Sequence, residues 1–170
     1  CVHHTYKLNL GPKNGGLAIC VRGPWVLKSG SGLRFVDDED WYYVATEVEG
    51  GELVFNMVAV HLTPYDYAAR RLQTGVLELA SGSTQTLTAM ERSGEQVVKG
   101  QSDQAAALLA RVERFKHPTV VAGDFNSTRD AALHTSLRET LLDAWERGGQ
   151  GFGGTIDFVS WVPLRVDYVY

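Results

Sequence analysis

The chain has 170 residues, of which 44% are hydrophobic and 21% charged, a composition typical of a globular domain with a core of its own. Its net charge of −4 argues against a surface that binds nucleic acid by positive charge alone, and leaves open a local basic groove or a metal that neutralises phosphate. No apolar run reaches the ~20 residues of a membrane-spanning helix, and two cysteines are too few for a disulfide framework. We expect two free thiols, with Cys20 buried, although a bridge between Cys1 and Cys20 stays open.

The first part of the chain predicts β-structure. Residues 2–9 alternate loosely and indicate a strand, and residues 17–22 indicate a short buried strand. Residues 41–49 and 52–62 are rich in aromatic and β-branched side chains, and the glycine pair at 50–51 favours a tight turn between them. We therefore predict a long hairpin. Side chains alternate along a strand, so one face of its second strand should carry Phe55, Met57, Ala59 and His61.

The middle of the chain predicts helix. Residues 67–115 are rich in Ala, Leu, Gln, Glu and Arg and indicate two or three helical pieces, interrupted near residues 80–83 and weakened at Gly94 and Gly100. The last piece has apolar residues at positions i, i+3, i+4 and i+7, a spacing that predicts a stripe packed on a sheet. That stripe consists of Ala105, Leu108, Leu109 and Val112.

The last part of the chain predicts alternating elements. Residues 119–123 are apolar and indicate a short strand covered on both faces. Residues 127–140 indicate a loop and then a helix, with Ser127 or Thr128 as its N-cap. Residues 155–161 and 164–170 indicate two more strands. This order of elements predicts an α/β domain whose sheets carry helices on an outer face.

The apolar strand at 119–123 continues into Asp124, Phe125 and Asn126. A carboxylate at the end of a buried strand is costly unless it meets a cation or hydrogen-bond donors, and strand ends are where a scaffold presents reactive groups. Aspartate can bind Mg²⁺ or accept a proton, and asparagine can donate its amide to a phosphate oxygen. The alternative is an Asx turn that satisfies only nearby backbone. We expect Phe125 to anchor this turn in the core.

Two further polar residues lie in predicted strands. His61 ends the longest one, where it is a candidate cleft residue, although a single histidine is more often structural or exposed. Asp167 lies between Val166 and Tyr168, and an inward-facing carboxylate there needs a partner such as a histidine or a metal. These two residues join Asp124 and Asn126 as candidate site residues.

Four segments, PTVVAGDFNST, VAVHLTP, LLDAW with GFGGT, and PLRVDYVY, together resemble the endonuclease/exonuclease/phosphatase superfamily. The resemblance covers most of residues 15–170 and is weakest over 65–100. It implies a deoxyribonuclease-like four-layered α/β/β/α sandwich, an α/β (α+β) fold that is partial here, as a single domain over residues 1–170. It also implies a phosphodiesterase or nuclease that uses Mg²⁺ or Mn²⁺ to hydrolyse phosphate esters of nucleic acids, nucleotides or lipid head groups.

The resemblance also implies a role for each candidate residue. Asp124 would orient or deprotonate the attacking water and contribute weakly to metal binding. Asn126 would bind the scissile phosphate and the water, and His61 would bind the phosphate or assist the leaving group. Asp167 would orient a catalytic histidine further along the chain, whereas Thr155 would be structural.

Part of the family pattern is missing from these residues. Family members carry an asparagine and a metal-binding glutamate on earlier strands and a Ser-Asp-His motif soon after the last one, so we expect the main metal ligands outside this chain. An alternative is a catalytically inactive binding module on the same scaffold. A third is an unrelated α/β protein in which GDFN is only a turn. The acidic net charge leans toward a small phosphodiester, nucleotide or lipid head group as ligand.

Overall fold

The computed structural model describes residues 17–28, 33–34, 43–64, 84–159 and 162–170. The strand predicted over 2–9 and the helical pieces predicted before residue 84 lie outside this part. The strands are β1 (Val26–Leu27), β2 (Leu33–Arg34), β3 (Tyr43–Gly50), β4 (Leu53–His61), β5 (Thr119–Asp124), β6 (Ile156–Val159), β7 (Val162–Leu164) and β8 (Asp167–Val169). The helices are α1 (Thr84–Val112), α2 (Ala132–Thr140) and α3 (Ala144–Gly148). No helix in the described ranges is long and apolar enough to cross a membrane.

Most of the described strands form one mixed sheet. Its strand order is β1-β3-β4-β5-β8, with β2 also paired to β3, while β6 and β7 form a separate two-stranded sheet. Strands β4 and β5 run parallel and the other pairs are antiparallel. A parallel pair needs a crossover connection, and α1 lies between β4 and β5 in the chain. The predicted α/β class is confirmed.

The predicted hairpin is confirmed as β3 and β4. Its register runs from Tyr43 opposite Val60 to Gly50 opposite Leu53. The connecting loop lies one residue later than predicted, and Gly51 adopts a φ of 62°, a conformation that glycine reaches without strain. Val58 and Val60 are buried on the same face of β4, so the residues between them, and His61, lie on the opposite face.

Helix α1 is continuous from Thr84 to Val112. The predicted weakening at Gly94 and Gly100 is wrong, because burial of the helix's apolar stripe outweighs the ~1 kcal/mol by which a glycine disfavours helix. The stripe itself is confirmed. Its members Ala105, Leu108 and Val112 are buried in the main core, and Leu109 packs against that core.

Several local predictions are wrong. Residues 17–22 form no strand. Ile19 is buried in the core, whereas Cys20, predicted to be buried, is exposed with a free thiol. Strand β5 is mostly half-buried, with Val121 as its fully buried residue. Residues 164–170 are divided between β7 and β8 rather than forming one strand. Side-chain patterns indicate extended backbone, whereas pairing partners decide where a strand begins and how much of it is covered.

The predicted N-cap of α2 is also wrong. The helix begins at Ala132, and its N-cap, Ala131, makes no side-chain capping hydrogen bond. Ser127, which has a capping hydroxyl, instead places that hydroxyl 2.9 Å from Nε2 of the buried His134. The helix therefore begins three to four residues later than predicted, and the Ser127 hydroxyl makes a polar contact inside the core instead.

Gly123 explains how closely β5 approaches β4. It lies opposite Val60 in the parallel register and has a φ of 144°, which side-chain-bearing residues rarely adopt. A Cβ at this position would overlap the backbone carbonyl of Val60. The glycine before Asp124 is therefore required by the contact between the two strands.

We predict that Gly123→Ala lowers the free energy of unfolding by at least about 2 kcal/mol, through backbone strain and overpacking. The matched control is Gly100→Ala, since a Cβ at Gly100 would have no neighbour within 4 Å. This control should raise stability by about 0.5–1 kcal/mol, because alanine favours helix. Urea denaturation of both variants measures the contrast, and equal effects would contradict the close approach of the strands.

Candidate active site

His61, Asp124 and Asp167 lie side by side at one end of the main sheet. His61 is the register partner of Asp124 across β4 and β5, and Asp124 is the register partner of Asp167 across β5 and β8. Register partners point to the same face, which here is the face opposite Val60 and Tyr168 in the core. The His61 Nε2 atom lies 3.9 Å from Asp124 Oδ2. We call these three residues the strand-end cluster.

Asp124 sits at the centre of the strand-end cluster with its two carboxylate oxygens in different environments. Oδ1 accepts a hydrogen bond of 2.8 Å from the backbone N–H of Asn126, which is an Asx turn, and Oδ2 faces His61. Burial raises the pKa of Asp124, and the nearby Asp167 charge adds to the rise, although the Asn126 N–H and His61 oppose it. A carboxylate with a raised pKa is a better proton acceptor near neutral pH.

Asn126 is held by its backbone and by its side chain. Its φ of 49° places it in the left-handed region, which asparagine tolerates better than most residues. The side-chain amide donates to the Leu62 carbonyl over 2.8 Å, and the Asn126 carbonyl accepts from Gln101 over 3.0 Å. One of the two amide N–H groups thus ties the loop after β5 to the end of β4. Only the second N–H group of the Asn126 side chain is then left to donate to a phosphate oxygen.

Thr155 fixes the start of β8, where Asp167 lies. Its hydroxyl oxygen accepts the backbone N–H groups of Val166 at 3.1 Å and of Asp167 at 3.2 Å. Its own N–H donates to the Leu164 carbonyl over 2.8 Å. These contacts are structural, and they set the position from which the Asp167 side chain projects toward Asp124.

Two glutamines of α1 also contact the segments that carry the candidate residues. Gln101 is 2% exposed, and Gln104 is 8% exposed. Gln104 accepts from the Thr63 N–H and donates to the Thr63 hydroxyl, each over 3.0 Å. The predicted helix stripe contained only apolar residues and so did not include these glutamines. A signal was nevertheless present, because both glutamines fall on the buried face that continues to Ala105 and Leu108.

A buried hydrogen-bonded histidine lies beneath the loop after β5. His134 is fully buried, with Nε2 next to the Ser127 hydroxyl and Nδ1 2.7 Å from the Tyr170 hydroxyl. The ring of Phe125, buried as predicted, packs against that of His134 at 5.5 Å between centroids. Burial lowers the pKa of His134 to about 4, so its ring is neutral at physiological pH. The spacing of His134 in the sequence indicated no role for it.

A buried ion pair connects the segment before α3 with the segment before β8. Arg165 donates to Asp143 Oδ1 over 2.6 Å, with side-chain exposures of 11% and 0%. Asp143 also accepts the N–H groups of Trp145 and Glu146, as the N-cap of α3. Burial opposes the charged form of Asp143, but the hydrogen bond and charge of Arg165 outweigh it and lower the carboxyl pKa. The pair joins two of the segments that carried the family resemblance.

A cavity of about 570 Å³ opens beside Asp124 and Asn126. Its walls are largely apolar. They include Val98 of α1, Leu133 of α2 and, from the C-terminal strands and the loop that follows β7, Ile156, Leu164 and Val166. Such a cavity suits an uncharged organic group next to the polar groups at its rim.

The described residues do not form a complete metal site. They contain no group of three His, Cys, Asp or Glu side chains placed to hold one ion. The strand-end cluster offers two carboxylates, whereas Mg²⁺ prefers about six oxygen ligands in octahedral geometry. The remaining positions around such an ion can be filled by waters and by phosphate oxygens of a substrate, as well as by further protein ligands.

A family model identifies the chain. The model of the Endonuclease/Exonuclease/phosphatase family matches residues 2–170. The chain belongs to the endonuclease/exonuclease/phosphatase family. The resemblance found in the sequence is thereby confirmed, and the mixed sheet with its helices agrees with the deoxyribonuclease-like fold class. The alternative of an unrelated α/β protein is excluded.

Solved structures with a similar chain include the human Nocturnin catalytic domain with bound sulfate anion, at 16% identity and a TM-score of 0.42. A functionally unknown conserved protein from Enterococcus faecalis V583 is similar at 17% identity and the same TM-score. Each alignment covers 75% of this chain, and the chain spans 39% and 42% of the respective proteins. No curated protein sequence matches the chain.

Membership of the endonuclease/exonuclease/phosphatase family supports a general class of activity. The family is hydrolytic and acts on phosphate esters, generally with divalent metal ions.

We predict a loss of stability in acid that depends on His134. Its folded pKa of about 4 lies below the ordinary value of 6.5, so between these values the unfolded chain binds more protons. Stability should therefore fall as the pH drops from about 6.5 to about 4, by about 3 kcal/mol from this group. Urea denaturation across this range, compared with His134→Gln, measures the effect. An unchanged slope in the variant would contradict it.

We predict that Arg165→Met lowers the free energy of unfolding by about 3–5 kcal/mol, because it leaves the Asp143 carboxylate buried without its partner. The exposed pair of Lys99 and Asp103 on α1, 2.6 Å apart, provides the control. Lys99→Met should change stability by no more than about 0.5 kcal/mol. Similar losses in the two variants would show that the Arg165 pair is not buried as described.

Proposed function

We propose that this chain supplies His61, Asp124, Asn126 and Asp167 to the active site of a hydrolase of phosphate esters, a phosphodiesterase or nuclease. The single observation that carries the proposal is the 3.9 Å contact between His61 and Asp124 at adjoining strand ends, in a chain of this family. The two residues come from distant parts of the sequence, and Asp124, with Asn126, also lines an open cavity. An isolated Asx turn at GDFN would not require the contact with His61.

In this proposal Asp124 is the proton acceptor for the attacking water. Its Oδ1 is held by the Asn126 N–H, which leaves Oδ2 to orient the water and take its proton. The water oxygen forms the new bond to phosphorus while the bond from phosphorus to the leaving oxygen breaks. Asp167 supports this role, because a second negative charge makes the Asp124 carboxylate more basic.

His61 and Asn126 would bind the anionic ester. The His61 side chain is 55% exposed, so its ring is accessible for a hydrogen bond to a phosphate oxygen or to the leaving oxygen. The Asn126 amide can direct its second N–H toward the same group. Asp167 would in addition orient a catalytic histidine further along the chain, as the family resemblance implies.

We propose that the complete enzyme depends on Mg²⁺ or Mn²⁺, with Asp124 as a weak ligand. Support comes from the family, which generally uses divalent ions, and from the two carboxylates of the strand-end cluster. The described residues by themselves do not hold such an ion. The main ligands are therefore assigned to other residues.

The proposed substrate is a small phosphodiester, a nucleotide or a lipid head group. The cavity beside Asp124 has apolar walls that would contact the organic part of the ester rather than its phosphate. The net charge of −4 supports a discrete ligand over non-specific attraction to a nucleic acid backbone.

A catalytically inactive binding module is the second candidate. The observation that favours it is the lack, within the described ranges, of a three-residue metal-binding group. Such a module would use His61 and Asn126 to hold a phosphate ester without cleaving it.

The test is hydrolysis of a panel of phosphomonoesters and phosphodiesters by the full-length protein, with Mg²⁺ and with EDTA. We predict Mg²⁺-dependent turnover that EDTA abolishes. Asp124→Asn should reduce kcat by about 10²–10⁴-fold, because the amide cannot accept the proton of the water. The control is Asp103→Asn, which changes an exposed carboxylate on α1 and should leave kcat unchanged.

Full activity in Asp124→Asn would overturn the assignment of Asp124. Saturable ester binding without turnover, weakened in His61→Ala, would instead establish the inactive binding module. Calorimetry with the same panel measures that binding.

A further inference from the structure

Gln101 lies between the two segments that carry the strand-end cluster. Its side-chain nitrogen donates to the Thr63 carbonyl over 2.8 Å and to the Asn126 carbonyl over 3.0 Å. Thr63 lies two residues after His61, and Asn126 lies two residues after Asp124. Because an amide nitrogen carries two N–H groups, both donors of Gln101 are used in joining these segments.

The bond to Asn126 has a specific conformational consequence. Asn126 is held at a positive φ of 49°, and its N–H donates to Asp124 Oδ1. Gln101 fixes the carbonyl of Asn126, and the N–H of the same residue holds Asp124. The two hydrogen bonds therefore hold both ends of one residue in the left-handed conformation. Without the Gln101 bond, the peptide after Asn126 is freer to rotate, and the hydrogen bond that orients Asp124 loses its support.

The bond to Thr63 acts on the other segment. Gln104, one helical turn further along α1, holds the N–H and hydroxyl of Thr63. Gln101 holds the Thr63 carbonyl, so Thr63, two residues after the end of β4, is fixed by three contacts from one helix. The position of His61 relative to Asp124 is thus set by α1 as well as by the pairing of β4 with β5.

We propose that Gln101 is a positioning residue that keeps His61 and Asp124 in register for the reaction, without itself contacting the ester. Its catalytic consequence rests on the proposed function. A buried amide with both donors on backbone carbonyls is costly to remove from a core, since the carbonyls lose their partners. The structural effect and the catalytic effect must therefore be separated by a control.

The chain offers a matched control in Asn56. Asn56 is 4% exposed, and its side-chain amide donates to the His117 carbonyl at 2.8 Å and to the Thr119 hydroxyl at 3.3 Å. It joins β4 to residues 117–119, at the opposite end of the β4–β5 pairing and about 17 Å from His61 at a strand rise of ~3.3 Å per residue. Asn56→Leu and Gln101→Met both remove a buried amide and keep its approximate volume.

The experiment compares the full-length protein with these two variants in two measurements. Hydrogen exchange of the Asn126 backbone N–H should be at least tenfold faster in Gln101→Met than in the wild type, and unchanged in Asn56→Leu. The two variants are compared under conditions where they have equal global stability. For the ester that the wild type hydrolyses, Gln101→Met should reduce kcat by about 10–100-fold with KM changed less than twofold. Asn56→Leu should change neither constant by more than twofold.

Asn126 exchange that is unchanged in Gln101→Met, or equally fast in both variants, would overturn the proposal. A loss of kcat of the same size in both variants would overturn it as well, because the loss would then follow stability. If the wild type shows no phosphoesterase activity, the proposed function fails, and the exchange measurement still decides whether Gln101 supports the Asp124 turn.

Discussion

The parallel pairing of β4 with β5 is the constraint on which the candidate site depends. The pairing places Val60 opposite Gly123 and His61 opposite Asp124, so that core and site residues alternate across the same two strands. A slip of one residue in β5 would move Asp124 to the helix-covered face, where it would no longer face His61. Gly123 permits the close approach, and the Leu62 N–H donates to the Asp124 carbonyl over 2.9 Å to extend the pairing beyond the strand.

The helix-covered face stabilises the site from beneath through buried polar groups. Gln101, His134 and Asp143 are each buried, and each is hydrogen-bonded to a residue in or next to a segment that carries a site residue. Buried polar groups of this kind cost free energy unless their partners are in place. Their presence ties the loops after β4 and β5, and the segment before β8, to one rigid arrangement. The exposed His61 and the half-buried Asp124 are positioned by this layer.

The structural turn at GDFN is compatible with the role proposed for Asp124. Asp124 and Asn126 form an Asx turn through one carboxylate oxygen, as the structural alternative predicted. The other oxygen faces His61. The turn limits the motion of the carboxylate, as the proposed role of holding a water in line with phosphorus requires.

The sequence by itself determined the α/β class, the β3–β4 hairpin, the apolar stripe of α1 and the burial of Phe125, because these follow from local periodicity and side-chain type. The family could also be recognised, since its motifs are short and continuous. Tertiary structure decided what depends on residues far apart in the chain. Helix α1 continues through two glycines, Cys20 is exposed, and Ser127 contacts His134 instead of capping a helix. Gln101 and Arg165 make buried polar contacts with residues far away in the sequence. A hydrogen bond between distant segments leaves no periodic pattern in a sequence, and only the folded backbone brings its donor and acceptor together.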